Sequence, residues 1–274
     1  MSEPEDHIYE PAPSHADPQP EPRDAEEPAR MGPLSRLTGT LFSPGETFTD
    51  VNRKPTIIAP MIIAILTVIA GSFFFTWRAH PDWDRIIRTQ VRKQAEKTGQ
   101  TIPEDQMQQR VEFGKTIAKF FPIIGAVFTP VVFVIVAGVF ALGLMFIQAK
   151  TTFKKILSVV SWSWAATGVV QTIVTMASLM VKSEEDLRDL DPSQPGAIVP
   201  TSLASVMSGG SAAMKSLAGS LEIFSIWYLI LLVIGFAAIA GSRKITSGKT
   251  ATVVFGIWII YVLCKAGLAG VFGG

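Results

Sequence analysis

Five long stretches of this chain contain no Asp, Glu, Lys or Arg, and no other feature constrains the fold as strongly. The stretches are 55–77, 120–149, 156–181, 223–242 and 250–264. A helix that crosses the hydrocarbon core of a bilayer, about 30 Å thick, needs roughly 20 residues at 1.5 Å each. Four stretches are long enough as they stand, and the last becomes so by continuing through Lys265.

We therefore predict an all-α integral membrane protein with five transmembrane helices and a short N-terminal interfacial helix. The membrane domain is predicted to cover residues 34–272. Its spans are expected at about 56–77, 121–147, 157–181, 222–241 and 250–271.

Residues 1–33 differ in composition from everything that follows. They are rich in Pro, Glu and Asp and contain few large apolar residues. A segment of this kind buries too little apolar surface to offset its chain entropy. We predict a disordered, acidic, proline-rich cytoplasmic tail.

The segment "LFSPGETFTDVNRKPTIIAP", residues 41–60, is predicted to begin with a short helix. Ser43 is a favourable N-cap, Pro44 suits the first helical position, and Glu46 completes a Ser-x-x-Glu capping box. Pro55 ends the helix just before the first span. We expect this helix to lie at the membrane surface, although an ordinary linker turn is the alternative.

This helix supplies the candidate interfacial or partner-binding surface, in which apolar side chains and two basic residues are expected to meet the headgroups. The surface consists of Phe42, Pro44, Phe48, Arg53 and Lys54.

The hydrophilic connections divide into two long and two short ones. Residues 78–120 are predicted to form two charged helices broken at 99–103, the second continuing into the second span. Residues 182–222 begin acidic and end in small-residue helical pieces. The short connections "QAKTTFKK" and "SRKITSGK" carry three basic residues each.

The distribution of basic residues predicts the orientation in the membrane. Cytoplasmic loops carry an excess of Lys and Arg, so the short basic connections and the N-terminus are expected in the cytoplasm. With five spans the C-terminus then lies on the opposite side. The nine Lys and Arg residues of 78–120 count against this orientation.

A search for catalytic patterns is negative. The three histidines, His7, His15 and His80, all lie outside the predicted spans, and no Asp lies inside one. This argues against intramembrane proteases that use histidine or paired aspartates. "RKITSGKT" (243–250) resembles the end of a phosphate-binding loop but lacks its first glycine and joins two spans. We predict a protein that is not an enzyme and needs no cofactor or metal.

Charge and cysteine content argue against nucleic-acid binding and against a disulfide-stabilised fold. The formal net charge is +1, which gives no indication of nucleic-acid binding. The single cysteine, Cys264, allows no disulfide within the chain.

Two charged residues border the predicted membrane core. Glu222 opens the fourth span and Lys265 lies within the fifth, and antiparallel spans bring both toward one side. One hypothesis is a structural ion pair between them. The alternative is that Lys265 extends to the headgroups by itself.

Polar and small residues mark other helix faces. Thr167, Gln171 and Thr175 form a mildly polar stripe on the third span. Such a stripe can contact neighbouring helices or line a substrate path. Small-residue pairs, Ala237 with Gly241 and Ala266 with Gly270, are compatible with close helix packing and with self-association.

Three segments together carry a family resemblance. They are "RLTGTLFSPGETFTDVNRKPTIIAP", "DLDPSQPGAIVPTSLASVM" and "SLEIFSIWYLILLVIGFAAIAGSRKITSGKTATVVFGIWIIYVLCK". Over about residues 34–272 the chain resembles the Yip family, the Ypt-interacting or Yip-one domain membrane proteins, in their bacterial-type form. The resemblance implies a five-helix membrane domain with a cytoplasmic N-terminus, in the inner membrane of a bacterium. Eukaryotic members are linked to early secretory traffic and Rab-type GTPases, and no catalytic residue is implied.

These observations favour a non-enzymatic multi-pass protein that organises the membrane or binds partners, as a trafficking-type adaptor does. Its expected partners are the lipid bilayer, a membrane or cytoplasmic protein, and a further copy of itself. The main alternative is a small solute transporter or channel, for which the polar stripe and Lys265 would matter. An intramembrane enzyme is a third possibility.

Overall fold

A computed structural model describes residues 30–188, 190, 196–241 and 245–272. Nearly all of the predicted cytoplasmic tail lies outside these residues, as do residues 189 and 191–195 of the 182–222 connection. The described part forms ten α-helices and one short 3-10 turn, Leu203–Val206, and contains no β-strand. The helices are α1 (Pro33–Phe42), α2 (Pro44–Arg53), α3 (Ile58–Ala79), α4 (Trp83–Thr98), α5 (Glu104–Phe146), α6 (Phe153–Val181), α7 (Glu184–Arg188), α8 (Ala212–Ser220), α9 (Ile223–Ile239) and α10 (Ser247–Phe272).

Four of the described helices, α3, α5, α6 and α10, are long and apolar enough to cross a membrane. Only 17% to 28% of the most apolar segment of each is buried within the protein. The remaining residues are half-buried or exposed, as expected of helices that contact lipid on one side. The all-α membrane fold is thus confirmed. The count of five spans stays a prediction, because α9 has 17 residues and measures only about 25 Å.

Helix α9 is the shortest of the five helices that were expected to cross the membrane. The fourth stretch was expected to be long enough as it stands, but α9 has only 17 residues, whereas α10 has 26 and continues past Lys265 to Phe272. Helix α9 stops at Ile239 because the Ala240 carbonyl accepts a 3.0 Å hydrogen bond from the Lys150 amide. Gly241 follows with a φ of +66°, and a Cβ there would collide with the Lys150 carbonyl.

The core lies between the long helices around α6 and α9. Trp162 is the largest fully buried side chain, and its helix packs against α3, α5 and α9. Aromatic rings from different helices interlock, with 5.1 Å between the ring centroids of Phe140 and Phe236. Aromatic side chains suit this role because each buries a large apolar area.

The first long connection folds as predicted. Helix α4 ends at Gly99, whose φ of +63° suits a helix C-terminus. Helix α5 then runs for 43 residues, about 65 Å, without interruption from the charged connection into the span. Arg88 joins the two helices through ion pairs of 2.8 Å to both Asp84 and Glu104.

The N-terminal region differs from the prediction of a single capped helix. Two ten-residue helices, α1 and α2, meet at Ser43, and their close approach requires glycine at position 39, where a Cβ would collide with the Thr47 hydroxyl. Ser43 is the N-cap of α2, but its side chain accepts no capping hydrogen bond. The capping box therefore does not form. Instead, the Ser43 carbonyl accepts a 3.1 Å hydrogen bond from the Thr47 hydroxyl.

Candidate functional site

Helices α1 and α2 form an N-terminal hairpin that packs onto the membrane bundle. Helix α2 contacts α9 and α6, and α1 contacts α6. Phe48 and Val51 share one face of α2 and are both fully buried. A Cβ at Gly235 of α9 would lie 3.3 Å from the Phe48 ring, so the helices approach closely there. The hairpin is consequently part of the folded core.

The centre of this hairpin is an ion pair that the sequence did not predict. Arg36 of α1 and Asp50 of α2 are only 1% and 3% exposed. The Arg36 Nη2 atom lies 2.7 Å from Asp50 Oδ2, and Arg36 Nε donates to the same oxygen at 2.9 Å. Two charge-assisted contacts from one guanidinium to the same carboxylate oxygen fix the relative position of the two side chains as well as balancing their charges.

Further donors and acceptors satisfy the rest of both groups. The Arg30 amide donates to Asp50 Oδ1 at 2.8 Å. Arg36 Nη1 donates to the Lys54 carbonyl at 3.0 Å and to the Thr56 hydroxyl at 2.7 Å. Buried charges are tolerated only when they are paired in this complete way.

Thr56 extends the network into the membrane bundle. Its hydroxyl also accepts from Trp162 Nε1 at 3.2 Å, and its carbonyl accepts from the Ser158 hydroxyl at 2.8 Å. Trp162 and Ser158 both belong to α6 and are fully buried. The hairpin and the third long helix are therefore linked by one continuous set of hydrogen bonds.

The network sets the ionisation of Asp50. Burial acts to raise the pKa of this carboxyl, but hydrogen bonds from the Arg30 amide and from Arg36, with the charge of Arg36, outweigh it. The pKa of Asp50 therefore lies below its ordinary value, and the carboxylate is charged at neutral pH.

Four of the five residues of the predicted interfacial surface are exposed or half-buried, and their contact with lipid or a partner stays a prediction. Phe42 is 83% exposed, Lys54 is exposed, and Pro44 and Arg53 are half-buried. Phe48 is wrong as a surface residue, because the bundle covers it completely. Its apolar face contacts α9 instead of lipid or a partner.

Glu222 and Lys265 are not brought together. Glu222 is the N-cap of α9, and its Oε2 accepts from the Ser225 amide at 2.7 Å and the Ser225 hydroxyl at 2.9 Å. The Lys265 ammonium lies 6.0 Å from the centroid of the Tyr261 ring, one turn back along α10. No ion pair joins Glu222 to Lys265 in the described structure, because each group contacts its own helix.

The polar stripe of α6 is divided in the structure. Thr167 is buried and donates at 2.9 Å to the Ser163 carbonyl of its own helix. Gln171 and Thr175 instead line a cavity between α3, α4, α5 and α6. The predicted stripe therefore combines one self-satisfied residue with two that face open space.

The small-residue pair at the end of α10 faces another part of the same chain. Ala266 is buried, and a Cβ at Gly270 would lie 3.5 Å from the Ala213 Cβ of α8. This face is occupied by α8 within one copy. Among the described residues, no group of three or more His, Cys, Asp or Glu side chains is placed to hold a metal ion.

A sequence signal for the network did exist. Asp50 lies beside Val51 and three positions after Thr47, so helical spacing puts it on the buried face of α2. A lone carboxylate on such a face requires a partner. Its identity as Arg36, on the preceding helix, depends on how the two helices pack.

Comparison with known proteins places the chain in a family. The Yip1 domain matches residues 38–268. "Membrane protein YknW" of Bacillus subtilis (strain 168) is 24% identical over 238 residues, which is 86% of this chain and 92% of that protein. No solved structure matches. With most of its length matched, the chain is a membrane protein that belongs to the Yip1 domain family.

Proposed function

We propose that this chain is a non-enzymatic membrane adaptor whose N-terminal hairpin, α1 with α2, binds a partner protein at the cytoplasmic surface. One observation carries the proposal. The buried Arg36–Asp50 pair holds α1 against α2, and the buried Phe48 ring anchors the hairpin to α9. Leu34 and Phe42, near the two ends of α1, are nevertheless 75% and 83% exposed. Scattered exposed apolar residues are common, but a rigid element that presents them is suited to recognition.

Rigidity is the reason to favour a protein partner. A surface that is already ordered loses less conformational entropy on binding than a flexible segment does. The Arg36 network and Phe48 order the hairpin without any partner. Exposed Lys54, directly after α2, adds a positive charge to the hairpin.

The orientation belongs to the same proposal. Both the α5–α6 connection and the end of α9 lie at the hairpin end of the bundle, joined by the Lys150–Ala240 hydrogen bond. Lys150, Lys154 and Lys155 are all in or next to that connection. The positive-inside rule supports a cytoplasmic location for this end. With α9 crossing as a fifth, short span, the C-terminus lies on the other side of what we infer to be a bacterial inner membrane.

The transporter or channel alternative has weaker support. Thr167 is satisfied within its own helix, and Lys265 lies over Tyr261, so the residues invoked for a solute path do not form a continuous polar row.

Photo-crosslinking from single positions tests the proposal. A photoreactive phenylalanine analogue at position 42 is expected to capture one protein partner at near-stoichiometric yield in intact cells. The matched control is position 146, because Phe146 is 89% exposed at the same end of the bundle but lies outside the hairpin. Phe42→Asp should abolish capture from the analogue placed at position 34, while the protein stays folded.

The hairpin must remain intact in this experiment. Deleting residues 1–54 would remove Phe48 and Asp50 and thereby disrupt the core, so the informative truncation removes only residues 1–29. Adducts with lipid alone at position 42, or the same protein captured equally from position 146, would contradict the adaptor proposal.

A further inference from the structure

A cavity of about 780 Å³ lies among α3, α4, α5 and α6, at the end of the bundle away from the N-terminal hairpin. Ligand pockets in proteins are typically about 300–1,000 Å³, so this volume is sufficient for a small molecule or one lipid chain. The cavity is lined by the last turns of α3 and α6, by α4, and by the part of α5 on both sides of the start of its apolar span.

The walls are mostly apolar and carry no formal charge. Phe75, Ile86, Ile87, Phe113, Phe121 and Leu179 contribute large apolar side chains. Within the part of the chain that the structure describes, none of the lining residues is Asp, Glu, Lys or Arg. A charged group inside would therefore lack a counter-ion, which is costly in an apolar site.

One wall carries polar groups without partners. Gln171, Thr172 and Thr175 lie within about one turn of α6 on the face that lines the cavity, Gln171 exposed and the two threonines half-buried. None of the three side chains makes a hydrogen bond to another described residue, whereas Thr167 on the same helix does. Hydroxyl and amide groups at the edge of a bilayer normally find a partner. They are available to a ligand.

Lys119, next to the lining residue Ala118, is exposed and does not itself line the cavity, and two other cations on the surrounding helices are held in ion pairs. Arg88 of α4 is paired with Asp84 and Glu104, and Lys115 of α5 is paired with Glu112 at 3.1 Å. These cations are therefore poor recognition groups for a phosphate or carboxylate headgroup. The electrostatics favour an uncharged ligand.

The position of the cavity indicates where such a ligand comes from. Lys119 is the last charged residue before the apolar span of α5, and Phe113 and Phe121, on either side of it, line the cavity with 70% and 61% exposure. The cavity therefore spans the level at which the helices enter the bilayer. Near the ends of α3 and α6, the Arg78 guanidinium donates to the Lys182 carbonyl at 2.8 Å and the Ser178 hydroxyl donates to the carbonyl of Ile198, which lines the cavity, at 2.7 Å.

We infer that this cavity binds one uncharged amphiphile from the adjacent leaflet, such as a monoacylglycerol. Its aliphatic chain contacts the aromatic and Ile walls from α3, α4 and α5. Its hydroxyl or ester carbonyl bonds to Gln171, Thr172 and Thr175. This inference is independent of the adaptor proposal, because it concerns the opposite end of the bundle.

Photolabelling of the full chain in vesicles tests the inference. The probe is a monoacylglycerol analogue with a diazirine in its chain, used in phosphatidylcholine vesicles, and labelled peptides are mapped by mass spectrometry. Labelling is expected in the segments that line the cavity. Ala118→Trp should reduce it about tenfold, because the larger side chain occupies the ligand's volume.

The matched control is Ala177→Trp, since Ala177 is exposed on α6 and does not line the cavity. It should leave labelling unchanged. If Ala118→Trp fails to fold, Ser72→Leu fills the cavity from α3 and gives the same expectation. Equal labelling of the filled and control variants would overturn the inference. A second probe, a fatty-acid analogue with the same diazirine chain, carries a carboxylate and should label the cavity less. If it labels the cavity as strongly as the monoacylglycerol analogue does, the selectivity for an uncharged group is overturned.

Discussion

Arg36 and Asp50, 14 residues apart on consecutive helices, form an ion pair that is almost inaccessible to solvent. The Nη2–Oδ2 distance is 2.7 Å, and backbone groups and Thr56 satisfy the remaining donors and acceptors. The pair closes the N-terminal hairpin and links it to α6. Its consequences for stability can be measured directly.

Removing one partner of this pair should be strongly destabilising. Arg36→Met leaves the Asp50 carboxylate buried and uncompensated, and we expect a loss of about 3–5 kcal/mol in the free energy of unfolding. The measurement is equilibrium unfolding in detergent micelles. Arg110→Met, at an exposed arginine of α5, is the matched control and should change stability by less than about 0.5 kcal/mol. The double variant Arg36→Met/Asp50→Leu should cost less than the two single changes added together; simple additivity would contradict the coupling.

The Arg36–Asp50 pair should also make the stability of the protein depend on pH in the acidic range. Because the folded-state pKa of Asp50 lies below its ordinary value of about 3.9, its contribution is fully present above that value. It is lost as the pH falls through the lower folded-state pKa. We expect the difference in Tm between the wild-type protein and Asp50→Asn to be constant from pH 7 to about pH 5 and to shrink below about pH 4. A difference that grows on acidification would show that the sign is wrong.

Phe48 and Phe42 should behave in opposite ways although only six positions separate them. Phe48→Ala removes a fully buried ring beside Gly235 and should cost about 3–5 kcal/mol in stability. Phe42→Ala changes a side chain that is 83% exposed and should cost less than about 0.5 kcal/mol. The free energy of unfolding of both purified variants, measured in the same detergent, tests this difference. Comparable losses would mean that α2 is not inserted into the core.

Gly241 is expected to be essential to the end of α9. Its φ of +66° and its contact with the Lys150 carbonyl leave no room for a side chain, so Gly241→Ala should destabilise by more than about 1 kcal/mol. Gly256→Ala in α10 is the control, because a Cβ there meets nothing within 4 Å. That change should be neutral or slightly stabilising. Equal thermal stability of the two variants would exclude the strained turn.

Cysteine accessibility tests the five-span orientation. In a Cys264→Ala background, Gln100→Cys in the α4–α5 connection should react with a membrane-impermeant maleimide added to intact cells. Thr38→Cys in α1 and Ser247→Cys at the start of α10 should react only after the membrane is permeabilised. Labelling of Ser247→Cys from outside would show that α9 does not cross.

Several features of this protein could be predicted because they depend on local signals. The charge-free stretches located α3, α6 and α10, and Gly99 with Pro103 marked the break between α4 and α5. Helical spacing also put Phe48 and Val51 on one face. Each of these signals lies within a few turns of chain, where periodicity and turn residues are sufficient.

Other features were decided only by the tertiary structure. An apolar helix face has the same sequence pattern whether it contacts lipid, a partner or its own bundle, so the burial of Phe48 against α9 was not predictable. For the same reason the sequence pattern could not show that Thr167 is buried and hydrogen-bonded while Gln171 lines a cavity. It also could not show that a cavity, and not a packed interface, lies beside this face of α6. Sequence alone thus determined that this chain is a helical membrane protein and where most of its helices lie. The packing of α1, α2 and α9 decided which polar residues pair, because a contact across the bundle depends on distances that no local pattern contains.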